Sequence, residues 1–152
     1  MGQKKWSTLL FTLYGVWMVW LLFGQRMGYS SDRSYWEQLV DNINLQPLDT
    51  VRRYLWVLQH STSPLQIRHA VINLGGNVIM FVPLGFFAPC LWKKVRKFGW
   101  HSLAMVLTIL SIELLQLFSL LGSCDVDDLL LNLVGTTIGF GMWKLYQFLK
   151  KE

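Results

Sequence analysis

The chain has 152 residues, enough for one domain, and carries a formal net charge of +5. It is 53% hydrophobic and 15% charged, where a soluble domain carries nearer 25% charged residues, so a water-bounded globule of this size cannot hide its apolar surface. Cys90 and Cys124 form neither a disulfide framework nor a metal knuckle, and nothing calls for a nucleic-acid partner.

A membrane-crossing helix needs about 20 mostly apolar residues. Four stretches qualify: 6–24, 69–92, 100–121 and 129–149. They are continuous runs rather than alternating patterns, which argues against strands. The expected fold is therefore an all-α, four-transmembrane-helix bundle forming a single membrane domain over 1–152. The first stretch follows Lys4 and Lys5 but is long for a signal sequence, and GQRMGYS after it offers no small-x-small cleavage site. It reads as a retained span.

Between the first two spans lies a long connection, 25–68, in which Arg26, Arg33, Arg52, Arg53 and Arg68 nearly balance Asp32, Glu37, Asp41 and Asp49. Its segment VRRYLWVLQH places Val51, Leu55 and Leu58 on one helical face, which predicts a short interfacial helix over 51–60. Trp36, Tyr54 and Trp56 suit an aromatic belt. The second connection holds Lys93, Lys94, Arg96 and Lys97, the third holds Asp125, Asp127 and Asp128 without a base, and Lys144, Lys150 and Lys151 end the chain. Short loops rich in Lys and Arg stay in the cytoplasm, so both termini are expected inside. Cys90 and Cys124 then lie near opposite faces, beyond disulfide reach.

The informative residues are those a bilayer disfavours. Glu113 sits within the third span, where an acid costs roughly 2.5–3.5 kcal/mol. Gln116 shares its face; Asn73 and Asn77 share one face of the second span. On the fourth, Asp128, Asn132, Gly135 and Gly139 form one helical stripe. At 1.5 Å rise per residue, Asn77 and Glu113 fall about 12 Å below the outer surface, and Asn73, Gln116 and Asn132 about 6–8 Å below it. Each has a structural reading: amides join helices, Gly135-x-x-x-Gly139 permits close packing, Asp125 suits a helix start, and Pro83 and Pro89 kink. Agreement in depth across three spans favours one outward-opening site.

These runs resemble motifs of the VanZ-like family. Asn73-Leu-Gly-Gly-Asn77-Val-Ile-Met-Phe81-Val-Pro83-Leu-Gly85-Phe is similar to its GN…PLGF signature, and Ser111-Ile-Glu113-Leu-Leu-Gln116 to its S-x-E-x-x-Q motif. Asp125-Val-Asp127-Asp128, with Asn132 and Gly135 following, resembles its acidic motif, and Asn44-Leu-Gln-Pro47-Leu-Asp-Thr50 its first-loop element. Together they cover about 42–141. Leu48 replaces the usual Phe, and Leu121-Gly122-Ser123-Cys124 lacks the Arg that many members carry before the acidic motif. The resemblance implies a multi-pass bacterial cell-membrane protein linked to reduced susceptibility to teicoplanin and related lipoglycopeptides.

The expected function is binding or modulation of membrane lipids, a lipid-linked envelope precursor or a lipoglycopeptide antibiotic at the outer leaflet. Candidate ligand-binding residues are Arg52, Arg53, Asn73, Asn77, Glu113, Gln116, Asp125, Asp127, Asp128 and Asn132. The sequence leans away from an enzyme. No resident cofactor is expected, although Asp125, Asp127 and Asp128 are candidates for a divalent cation. In that alternative the protein acts on a lipid-linked phosphate or sugar with Glu113 as acid or base; in another it is a small proton-coupled transporter with Glu113 titrating.

Overall fold

A computed structural model describes residues 2–24 and 32–150, with side chains from Lys5 onward. The Lys4 side chain, Arg26, Lys151 and the GQRMGYS segment beyond Gly24 thus lie outside the described residues. The described chain forms six α-helices: α1 (Gly2–Phe23), α2 (Tyr35–Asp41), α3 (Asp49–His60), α4 (Pro64–Leu91), α5 (Phe98–Phe118) and α6 (Val126–Leu149). A 3-10 turn, Lys94–Arg96, joins α4 to α5. Two short strands, β1 (Ile43–Asn44) and β2 (Cys124–Asp125), pair in parallel.

Among the described residues, Lys5–Phe23, Pro64–Leu91 and Phe98–Phe118 are long and apolar enough to cross a membrane. At 24 residues α6 also has the length, but Asn132, Thr136, Thr137, Lys144 and its glycines dilute its hydropathy. The helix ends differ from the sequence boundaries for local reasons. Pro64 opens α4 earlier than residue 69, because the first turn needs no proline N–H. Pro83 and Pro89 lie within α4, which continues to Leu91. α5 stops at Phe118 rather than 121, since Leu120 turns left-handed (φ 56°) and the Leu121 and Gly122 amides both donate back to the Gln116 carbonyl at 3.0 and 3.2 Å.

α4 and α6 run side by side and parallel, with Gly135 against Val78 and Gly139 against Val82. Gly85 of α4 rests likewise on the Thr136 backbone. A side-chain carbon at any of the three would overlap the facing backbone, so this approach requires glycine. α5 packs antiparallel against α6, where buried His101 lies on the Phe140 ring at 4.5 Å between centroids. α1 joins α4 through the Tyr14 hydroxyl, which donates to the Met80 carbonyl at 2.8 Å. Met18, Phe81, Leu84, Ala88, Met105 and Ile109 form the apolar core.

The 25–68 connection holds more structure than the expected single helix. α2 carries a capping box, in which Ser34 and Glu37 satisfy each other's backbone amides. Tyr35 then donates to the Phe118 carbonyl at 2.9 Å, fixing α2 to the end of α5. α3 starts at Asp49, two residues before the expected helix. Its docked face carries Thr50, Val51, Tyr54 and Val57, whereas Leu55 and Leu58 are exposed.

Candidate functional site

The acidic motif divides its labour. Asp125 caps its own helix by accepting from the Asp127 amide at 2.8 Å, and its other oxygen accepts from Thr50 Oγ1 at 2.6 Å and Asn44 Nδ2 at 3.1 Å. Asp127, fully buried, accepts from the backbone amides of Leu48 and Val51. Leu48 stands at the N-cap of α3 with φ 64° and no capping side chain, so Asp127 supplies from α6 the cap that α3 lacks. The Cys124 amide donates to the Asn42 carbonyl at 2.8 Å and starts the β1–β2 pairing that brings the two segments together. The first-loop element and the acidic motif are therefore one docked unit.

Asp128 points elsewhere. It accepts from Asn77 Nδ2 of α4, which adjoins Val78 of the Val78–Gly135 approach, Asp128 lying about two turns before Gly135 on α6. With Asn73, Glu113, Gln116 and Asn132 these two residues line one cavity of about 610 Å³ between α1, α4, α5 and α6. Glu113 and Asn132 are each 3% exposed, and Gln116 Nε2 donates to the Leu22 carbonyl of α1 at 3.1 Å. Asn73 donates to its own helix, to the His69 carbonyl at 2.8 Å. Met80 and Ile112 of the lining pack against the apolar core, in which Phe81 and Ile109 lie about one turn from Asn77 and Glu113, so the cavity has an apolar floor. Ser111 of the S-x-E-x-x-Q run is exposed and bonds Leu107, outside the cavity.

Not every expected residue arrives there. Arg53 pairs with Asp49 at 2.9 Å on the surface, Arg52 is exposed, and neither lines the cavity. Asp125 and Asp127 face the loop, and among the described residues no three His, Cys, Asp or Glu side chains gather closely enough to hold a metal ion. Conversely, α1 contributes Trp17, Leu21 and Leu22 to the lining, which no motif signalled. Tyr54 also escaped notice as a site neighbour. Its hydroxyl pKa is raised by burial and then by nearby Asp128, with Arg53 opposing. The Cys124 thiol is pushed up by burial first, then by Glu113 and Asp125.

Fold and cavity together define a small helical membrane protein with an acid-bearing polar cup at one end of an apolar bundle. The VanZ/LLP1 family model matches residues 8–147, nearly the whole chain, and the chain belongs to that family. Neither a curated protein nor a solved structure matches it.

The docked loop makes a direct prediction. Asp127→Asn leaves one oxygen for two amide donors and should destabilise the loop by about 1–3 kcal/mol. Proteolysis or amide exchange within 44–60 should accelerate while the long helices stay protected. Unchanged protection across the loop would remove Asp127 from this role.

Proposed function

We propose that the cavity receives the head group of an envelope lipid or a lipid-tailed glycopeptide at the outer leaflet, lowering susceptibility to teicoplanin in a bacterial cell. The observation that carries this reading is a buried acid and four side-chain amides in one cavity within an otherwise apolar bundle. A tail has a route as well. Trp17 on α1 and Ile72 and Ile79 on α4 line the same cavity yet are 51%, 56% and 71% exposed, so its α1–α4 side meets hydrocarbon. The apolar floor favours a binding cup over a through-going transport path.

In this reading α6 is the fourth span, running beside α4 in the same direction. Lys93, Lys94, Arg96, Lys97, Lys144 and Lys150 gather at one end, and Asp125, Asp127 and Asp128 at the other. The basic end faces the cytoplasm and the acidic mouth faces outward. α3 lies in the outer interface with Leu55, Trp56 and Leu58 toward lipid.

An impermeant thiol reagent should label Cys124 on intact cells, and should leave a cysteine introduced at Lys94 unlabelled until the cells are opened. Alkaline pH suits the experiment because the Cys124 thiol is raised. Reversed labelling would overturn the orientation. Expression in a susceptible host should raise the inhibitory concentration of teicoplanin, and an unchanged value would overturn the resistance reading.

A further inference from the structure

We infer that the cavity recognises a primary ammonium group on its lipid-tailed ligand. This deepens the proposed function and rests on it.

The argument begins with what the lining offers. Glu113 and Asp128 supply carboxylates, while among the described residues no Lys, Arg or His lines the cavity. Asn132, nine-tenths buried, leaves its Oδ1 without a hydrogen-bond partner among the described residues. Three amides are already committed as donors, Asn73 to the His69 carbonyl, Asn77 to Asp128 and Gln116 to the Leu22 carbonyl. The inner surface is thus rich in acceptors and negative charge. The orphaned amide oxygen calls for an N–H or O–H donor, and a low-dielectric site lined by carboxylates strengthens the hold on a cation.

A phosphate brings acceptors and negative charge, so it meets repulsion at Glu113 and Asp128. Sugar hydroxyls bring donors but no positive charge to set against the carboxylates. A quaternary ammonium balances the charge but has no N–H. A primary ammonium brings three donors and one positive charge in a compact group. Its phosphate or glycan neighbour then stays at the mouth, and its chains follow the exposed Trp17, Ile72 and Ile79 surface.

The test uses the purified full chain in an uncharged polyoxyethylene detergent, with native mass spectrometry as the readout. Four lipids with matched chains separate the chemistries: phosphatidylethanolamine, phosphatidylcholine, phosphatidylglycerol and a glucosyl-diacylglycerol. Phosphatidylethanolamine should be retained about tenfold more tightly than the others, the ratio expected of a charge-assisted hydrogen bond. Glu113→Gln should bring the four within about threefold of one another, the neutral amide having lost the charge assistance. Asp128→Asn should weaken the preference in the same direction and serves if the first variant does not fold. Equal retention of phosphatidylcholine, tighter retention of phosphatidylglycerol or of the glucosyl lipid, or a preference that survives both substitutions would overturn the ammonium assignment. Failure to retain any of the four lipids would overturn the lipid-cavity reading itself.

Discussion

Glu113→Gln should abolish the reduction in teicoplanin susceptibility while leaving membrane expression near that of the unmodified chain. The substitution preserves length, shape and most hydrogen bonding, and it removes only charge and titration. Glu113 is 3% exposed and stands in the cavity wall. A residue used only to join helices would tolerate the amide, since Asn and Gln already do that work in membranes. Glu113→Leu cannot separate the readings, because it also strips the polar lining. Cys124 reports independently on the charge: Glu113 helps to raise its thiol pKa, so Glu113→Gln should lower that pKa and hasten alkylation of Cys124 at fixed pH. A folded Glu113→Gln chain with full protection against teicoplanin would reduce Glu113 to packing.

The cavity was legible in the sequence where polarity interrupts apolar runs. Asn73, Asn77, Glu113, Gln116, Asp128 and Asn132 stand out because hydrocarbon disfavours them, and helical rise sets them at similar depths. The α1 contribution was not legible. Trp17, Leu21 and Leu22 are ordinary span residues, and only packing against α4 and α5 brings them to the wall. Nor could spacing divide the acidic motif. Asp125, Asp127 and Asp128 read alike as a possible cation cluster, but their roles depend on β1–β2 pairing and on the missing cap of α3. The docked side of α3 was hidden for a related reason. Hydropathy favoured Val51, Leu55 and Leu58, whereas docking follows Thr50 and Tyr54, whose neighbours include the acids of α6.

Gly135→Leu should produce the largest loss of stability. Its new side chain would occupy the position of the Val78 carbonyl, which belongs to backbone and cannot rotate aside. α4 and α6 must then separate, and the Asn77–Asp128 bond, made beside Val78 and about two turns before Gly135, goes with them. Overpacking a well-filled core typically costs about 1–3 kcal/mol, and a clash with backbone belongs at the upper end or beyond. Gly141→Leu is the internal control. It lies on the same helix with open space about it, and relief from glycine's poor helix propensity, about 1 kcal/mol, should leave it neutral or slightly stabilising. Thermal unfolding in detergent, followed by the fraction that remains monodisperse, should separate the two variants clearly. Equal losses would mean that the α4–α6 contact does not govern the bundle. The cavity would then need another support, because Asn77 faces Asp128 and Asn132 across that contact.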